Sequence, residues 1–175
     1  MTDLEQFRKL KDEFFKNDSQ SPLTTDQKRG FTHLAYFPEN PDLALELDLE
    51  EFSQKDEIQM QTSTGDVQSH LRFGRIRFEV EGQPGELTVY KDRHGYFLPF
   101  VDALAGSETY GAGRYLEPEQ AADGKLHVDF NYAYNPYCAY NEYYSCPLTP
   151  FENRLKVPLR AGEQLPEGDW VEHVE

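Results

Sequence analysis

The sequence contains little cysteine and little tryptophan, 2 and 1 residues respectively in a chain of 175. Two cysteines are too few for a disulfide framework, so an apolar core has to hold the fold. A chain of this length buries roughly 70% of the surface that its unfolded form exposes, which is enough for a core without a metal or a disulfide. We therefore expect Cys138 and Cys146 to be reduced, largely buried and structural, with a disulfide bridge or a shared metal as the alternative.

Positive charge and long apolar runs are also scarce. The chain has 17 Lys and Arg against 32 Asp and Glu, a formal net charge of −15 at pH 7. Such a field repels phosphate backbones and anionic lipid headgroups, which argues against nucleic acid and membrane surfaces as partners. No apolar run approaches the roughly 20 residues that cross a bilayer, and the first residues lack the basic start and apolar core of a signal peptide. The sequence thus predicts a cytoplasmic protein.

Aromatic residues, in contrast, are plentiful at 14%, with 12 Phe and 11 Tyr, and disordered chains are poor in them. Thr2 and Glu5 have the spacing of a capping box, and apolar residues then recur at steps of three and four, which predicts a helix over 3–16. After Pro41 the apolar period changes to two, which is typical of strands with one solvated face. A change of apolar parity at Gly74 predicts a bulge or a corner.

The predicted fold class is α+β but mostly β: an N-terminal helix followed by a largely antiparallel β-meander that curls into a roll or barrel. The later strands are predicted over 126–132 and 155–159. We expect one domain over 1–175, with a helical segment at 1–30, a β-rich body at 43–160 and a loose tail at 163–175.

A first candidate for chemistry is the glycine-rich segment 106–115. Gly111 and Gly113 allow a close approach of backbone to a ligand, and Arg114 brings a planar fork of five N–H donors beside them. Together they are suited to an anion such as a phosphate or a carboxylate. The alternative is a tight turn whose arginine pairs with a neighbouring acid.

The second candidate is segment 126–153, which holds both cysteines and six tyrosines between 132 and 144. A strand over 126–132 places His127, Asp129 and Asn131 on one face. The loop that follows brings further polar side chains: Asn135, Cys138, Cys146, Glu152 and Asn153. The alternative is that these groups hydrogen-bond loop amides while the tyrosines fill a core.

This second segment also carries a family resemblance. It has the pattern Asp129-Phe-Asn-x-Ala-Tyr-Asn-Pro-x-Cys138-Ala, followed by Cys146-Pro and Pro150-x-Glu-Asn-x-Leu155. With further matches such as Tyr36-Phe-Pro, Phe97-Leu-Pro-Phe and Thr109-Tyr-Gly-x-Gly-Arg-Tyr115, the chain resembles the uncharacterised bacterial and archaeal family DUF1684. Tyr137 departs from the pattern, which expects a second proline there. The resemblance implies one domain and the location of a site, without an activity.

Our first hypothesis is a small-molecule-binding domain, with an anionic ligand as one option and without a cofactor. Its expected ligand-binding residues, which we predict to lie close together around one concavity, are Gly111, Gly113, Arg114, Asp129, Asn131, Asn135, Glu152 and Asn153.

Two of the three alternative functions involve the cysteines. One is a hydrolase or transferase in which Cys138 or Cys146 is the nucleophile, His127 the base and Asp129 the residue that orients it. Another is a metal site, although seven residues between the cysteines is wider than the usual zinc-ligand spacing. A protein-interaction role is a further alternative.

Overall fold

The computed structural model describes residues 1–166 and begins with helix α1, Asp3–Asn17. The predicted capping box is confirmed, because the Thr2 side chain accepts from the Glu5 amide and the Glu5 carboxylate accepts from the Thr2 amide. Helix α2, Thr25–Gly30, is capped in the same way by Thr24 and Gln27. No helix in the described part of the chain is long and apolar enough to cross a membrane.

In the described part of the chain, eight strands follow the helices and form two antiparallel sheets. They are β1 (Ala44–Leu47), β2 (Glu50–Gln61), β3 (Val67–Val80), β4 (Gln83–Asp92), β5 (Gly95–Phe100), β6 (Arg114–Leu116), β7 (Glu119–Gln120) and β8 (Leu126–Asp129). The larger sheet has the order β2-β3-β4-β5-β6, and the smaller sheet has the order β1-β8-β7. Single 3₁₀ turns lie at Pro41–Leu43, Phe130–Tyr132, Tyr137–Ala139 and Phe151–Asn153.

The mostly β, antiparallel prediction is confirmed, but the roll or barrel is not. Within residues 1–166 neither sheet closes on itself: β2 and β6 remain the two edges of the larger sheet. The reason is the pairing of β1, which joins the distant β8 instead of extending the meander. The chain therefore builds two separate sheets whose apolar faces share a core, which contains Ile76, Leu87, Leu98, Leu126, Val128 and Phe130.

The irregularity predicted at Gly74 is confirmed, because the β3–β4 register shifts between Arg72 and Gly74. Strand β2 also approaches Gly74 closely. A Cβ atom at position 74 would lie 2.7 Å from the Glu50 carbonyl oxygen, so only glycine fits.

Two predicted strands differ from the structure. The strand expected over 126–132 ends at Asp129, because the Asp129 carboxylate accepts from the Asn131 amide and starts a 3₁₀ turn. Segment 155–159 forms no strand. Its Leu159 amide donates to Asp102 Oδ2 at 2.8 Å, so a side chain replaces the ladder partner.

The predicted loose tail is packed where it begins. Glu163 is 2% exposed and forms an ion pair with Lys11. The rest of that tail, 167–175, lies outside the described residues. A second apolar cluster, which includes Phe15, Phe31 and Tyr140, holds α1 against the loop after β8. This packing places α1 beside segment 126–153, the second candidate segment of the sequence analysis.

Candidate functional site

A cavity of about 910 Å³ lies between α1, the segment from β6 to β7, β8 and the loop 132–146. Six aromatic rings line it: Phe7, Tyr115, Tyr132, Tyr134, Tyr137 and Tyr144. Ionisable side chains interrupt the aromatic wall: Lys11, Glu117, Glu119, His127, Asp129 and Cys146. We call this feature the tyrosine cavity.

The rings of the tyrosine cavity hold one another in edge-to-face pairs. The centroids of Phe7 and Tyr132 are 4.9 Å apart, and those of Tyr137 and Tyr144 are 5.3 Å apart. Edge-to-face contacts add to the stability gained from area burial alone. The wall is therefore formed before any ligand arrives.

The one lysine of the wall is already engaged. The Lys11 ammonium pairs with the Glu163 carboxylate and lies 4.8 Å from the ring centroid of Tyr134. Glu163 also accepts hydrogen bonds from the backbone amide of Asn135 at 3.1 Å and from the Tyr140 hydroxyl at 3.2 Å. Lys11 thus contributes an ion pair to the wall and not an unbalanced positive charge.

Two carboxylates of the wall, those of Glu117 and Asp129, accept hydrogen bonds from uncharged donors. Glu117 accepts from the Tyr134 hydroxyl, and burial raises the pKa of Glu117. Asp129 Oδ1 accepts from the backbone amide and from the side-chain amide of Asn131, each at 2.9 Å. Within residues 1–166 no ion pair joins Glu117, Glu119 or Asp129 to a basic side chain.

The two cysteines are in contact with each other, and one of them belongs to the cavity wall. Cys138 and Cys146 are 3% and 7% exposed, which confirms the predicted burial, and both are thiols in the structure. The Cys138 amide donates to Cys146 Sγ at 3.3 Å. The hydrogen bond between the two side chains lowers the pKa of Cys138 to about 7 and raises the pKa of Cys146. Cys146 lines the cavity, whereas Cys138 lies outside its lining.

The predicted catalytic arrangement of His127 and Asp129 is not formed. Both line the cavity, as their alternation on β8 predicts. The partner of His127 Nδ1, however, is Glu46 on the neighbouring strand β1, at 2.5 Å. Since Asp129 is engaged by Asn131, it does not orient His127. No group of three or more His, Cys, Asp or Glu residues within 1–166 is placed to hold a metal ion.

Arg114 is a buried structural residue and does not line the tyrosine cavity. It is 1% exposed, and its guanidinium donates to the carbonyl oxygens of Ala161, Glu163 and Leu159, at 2.5, 3.0 and 2.9 Å. Asp102 Oδ2 lies 3.8 Å from the same group, and burial lowers the pKa of Arg114 to about 10. The arginine therefore fixes the C-terminal segment. This agrees with the alternative interpretation of segment 106–115, a tight turn whose arginine pairs with an acid.

The two glycines before Arg114 belong to this turn and lie outside the cavity lining. Gly113 has φ +99°, and a Cβ atom there would lie 2.5 Å from the Phe100 carbonyl oxygen. Gly111 is half-buried and its φ is not positive. The turn thus uses Gly113 for a close approach to β5 instead of to a ligand.

Glu152 and Asn153 bind the larger sheet. Glu152 accepts from Arg72 at 2.8 Å, from Thr88 at 3.1 Å and from the Tyr90 hydroxyl. Burial acts to raise the pKa of Glu152, but these bonds outweigh it and lower the pKa. Asn153 is fully buried, with its amide donating to the carbonyl oxygens of Thr88 and Pro99 at 2.8 Å each.

Asn131 and Asn135 are also buried and fix loops. Asn131 exchanges two hydrogen bonds with the backbone of Asn40, at 2.8 and 2.9 Å. Asn135 donates to the Gln164 carbonyl oxygen at 3.0 Å. Of the residues that the sequence proposed for a site, only His127, Asp129 and Cys146 line the tyrosine cavity, so the predicted common concavity of Arg114, Asp129, Asn131 and Glu152 is not formed.

Comparison with known proteins bears on the family and the fold. A family model described as a protein of unknown function (DUF1684) matches residues 29–164. A matching solved structure is the solution NMR structure of an uncharacterised protein of Haloarcula marismortui, which is 32% identical, with 92% of this chain and 91% of that chain covered and a TM-score of 0.69. A search of curated proteins finds no match.

Proposed function

Since the chain belongs to the DUF1684 family, whose description gives no activity, we propose its function from the site itself: it is a small-molecule-binding domain, and the tyrosine cavity is the binding site. One observation carries this proposal. An open cavity of about 910 Å³ is lined by six aromatic rings, other apolar side chains and a small number of ionisable groups. Ligand sites have this size, this apolar lining and a few polar groups that fix the orientation of the ligand.

The pairing of the rings supports the same function. Because edge-to-face contacts already fix Phe7 against Tyr132 and Tyr137 against Tyr144, ligand binding requires little reordering of side chains. The option of an anionic ligand loses its support, because the guanidinium of Arg114 is occupied by backbone carbonyls and Lys11 is paired with Glu163.

Saturation-transfer NMR with a fragment library of mixed charge tests the proposal. Fragments that bind wild-type protein are retested against Tyr132→Ala, which removes a ring from the cavity wall. The matched control is Tyr143→Ala, because Tyr143 is 85% exposed and lies outside the cavity lining. We expect binding to weaken about fivefold in Tyr132→Ala and to stay unchanged in the control. Fragments that bind both variants equally, or no binding fragment at all, would contradict the proposal.

A second candidate is covalent chemistry by the thiol pair, and the contact of Cys138 with Cys146 at the cavity wall favours it. The Cys138 thiol has the lower pKa but lies outside the lining, while Cys146 lines the cavity with a raised pKa. The group that a ligand meets is thus the weaker nucleophile at neutral pH, which ranks this candidate second. Mass spectrometry after iodoacetamide treatment tests it: fast alkylation of Cys146 in folded protein at neutral pH would promote it above simple binding.

A further inference from the structure

The charges around the tyrosine cavity are unequally balanced. Among residues 1–166, three carboxylates line it, those of Glu117, Glu119 and Asp129, against the one ammonium of Lys11. That ammonium is paired with Glu163, a buried carboxylate outside the lining. The cavity therefore presents three carboxylates that form no ion pair with a basic side chain of the described residues, although the charge of Lys11 acts on Glu117. The chain as a whole has a net charge of −15.

The aromatic wall adds to this field in the same sense. The face of a phenol ring is the negative end of its quadrupole and attracts cations within about 6 Å of the centroid. The structure already contains one such contact, since Lys11 Nζ lies 4.8 Å from the ring centroid of Tyr134. That same Tyr134 donates its hydroxyl to Glu117, so a ring and a carboxylate converge at one place in the wall.

The surroundings of Glu117 favour a positively charged ligand group. Glu117 is an exposed residue, but partial desolvation of its carboxylate raises the pKa, while the charge of Lys11 acts to lower it. Its hydrogen-bond donor, the Tyr134 hydroxyl, is neutral. A carboxylate in this setting is stabilised when further positive charge comes close to it. A ligand that brings a positive charge to Glu117 would supply this stabilisation, whereas an anion would meet repulsion from all three carboxylates.

We propose that the ligand of the tyrosine cavity is an organic cation, an amine or a quaternary ammonium compound that carries an apolar group. The positive centre lies towards Glu117 and Asp129, and the apolar group packs against the tyrosine rings. This inference rests on the proposed function, because it names the class of ligand that the same cavity binds.

Isothermal titration of the full chain with three probes of similar shape tests the inference. The probes are benzyltrimethylammonium, benzyl alcohol and benzoate, which carry a positive charge, no charge and a negative charge. We expect benzyltrimethylammonium to bind at least about tenfold more tightly than benzyl alcohol, and benzoate to bind least. Added salt should weaken the binding of the cation.

A pair of double variants separates the local carboxylates from the net charge of the protein. Glu117→Gln with Asp129→Asn removes two charges from the cavity. Each replacement keeps an oxygen that accepts the bonds from Tyr134 and Asn131, so the wall is preserved. The control, Glu79→Gln with Glu142→Gln, removes two exposed charges outside the cavity lining.

The outcomes separate this inference from the function on which it rests. A loss of about tenfold in affinity for benzyltrimethylammonium in the cavity double variant, with the control unchanged, supports the inference. Equal or tighter binding of benzyl alcohol or benzoate in the cavity overturns the cationic ligand but leaves a small-molecule site in place. If Tyr132→Ala changes the binding of none of the three probes, and of no fragment in the broader screen, both proposals fail.

Discussion

Lys11 on helix α1 and Glu163 near the end of the described chain form an ion pair whose carboxylate is 2% exposed and whose ammonium side chain is 15% exposed. The pair joins two segments that are 152 residues apart in sequence. It also adjoins the tyrosine cavity, because Lys11 is part of the lining of that cavity. The first helix is therefore held in place at the site by a charge from the C-terminal segment.

The first prediction is that this pair acts as a coupled unit in stability. Lys11→Met leaves a buried carboxylate without its cation, and we expect the free energy of unfolding to fall by about 3 kcal/mol. The double variant Lys11→Met with Glu163→Gln should lose clearly less than the sum of the two single losses, because it leaves no unpaired charge. Urea unfolding of the four proteins measures this.

The exposed pair of Arg160 and Glu108 is the control for this cycle. Their side chains are 49% and 43% exposed, so we expect a coupling energy below about 1 kcal/mol there. If the losses at Lys11 and Glu163 are additive, so that their coupling energy is no larger than that of the surface pair, the buried pair does not hold α1.

The parts of the fold that follow from local patterns were predictable from the sequence. The capping box of Thr2 and Glu5 and the irregularity at Gly74 are both set by neighbouring residues and were both found. The barrel was not found, because closure depends on which distant strands pair. The pairing of β1 with β8 joins residues 44–47 to residues 126–129, and no spacing within either strand encodes it.

Polar side chains near glycines or in loops did not indicate a site in this chain. Arg114 and Asn153 have the composition of a binding site, but both satisfy backbone groups of irregular segments in the interior. A polar side chain also explains why segment 155–159 is not a strand. Its apolar alternation predicts a buried strand, but the Leu159 amide donates to the Asp102 carboxylate instead of to a neighbouring strand. Lys11 and Glu117 come from separate segments, and only the tertiary fold brings them to the cavity.

The second prediction concerns Arg114 as a structural clamp. A lysine at this position has a single nitrogen and cannot donate to the carbonyl oxygens of Leu159, Ala161 and Glu163 together. We expect Arg114→Lys to lower the free energy of unfolding by about 2–4 kcal/mol, measured by urea denaturation. Arg160→Lys on the surface should change it by less than about 0.5 kcal/mol. Wild-type stability in Arg114→Lys, together with loss of a phosphate-dependent rise in Tm, would instead restore the anion site.

The third prediction separates backbone strain from steric overlap at glycine. Gly113 and Gly65 have similar φ angles, +99° and +90°. A Cβ atom at Gly65 would meet nothing within 4 Å, whereas one at Gly113 would lie 2.5 Å from the Phe100 carbonyl oxygen. We expect Gly65→Ala to lose about 1 kcal/mol from the left-handed backbone alone. Gly113→Ala should lose about 2 kcal/mol more because β5 has to move away.

Thermal unfolding of both alanine variants measures this difference. If Gly113→Ala and Gly65→Ala lower Tm by the same amount, steric overlap with Phe100 does not contribute to the loss of stability. The turn before Arg114 would then tolerate a side chain, and its glycine would need another explanation.

The last prediction concerns the titration of the thiol pair. Hydrogen bonding from Cys146 lowers the pKa of Cys138 to about 7, and burial opposes this effect. The bond favours the Cys138 thiolate, so the thiolate should appear as pH rises through about 7. Removing the donor with Cys146→Ala should raise the pKa of Cys138 by at least about one unit towards that of an ordinary thiol, or beyond it because of burial. The thiolate absorbance in the ultraviolet follows this titration, with Cys138→Ala as the variant that lacks the neutral-pH step. If that step persists in Cys138→Ala, the low-pKa thiol is Cys146; this would place a nucleophile on the wall of the tyrosine cavity and favour covalent chemistry there.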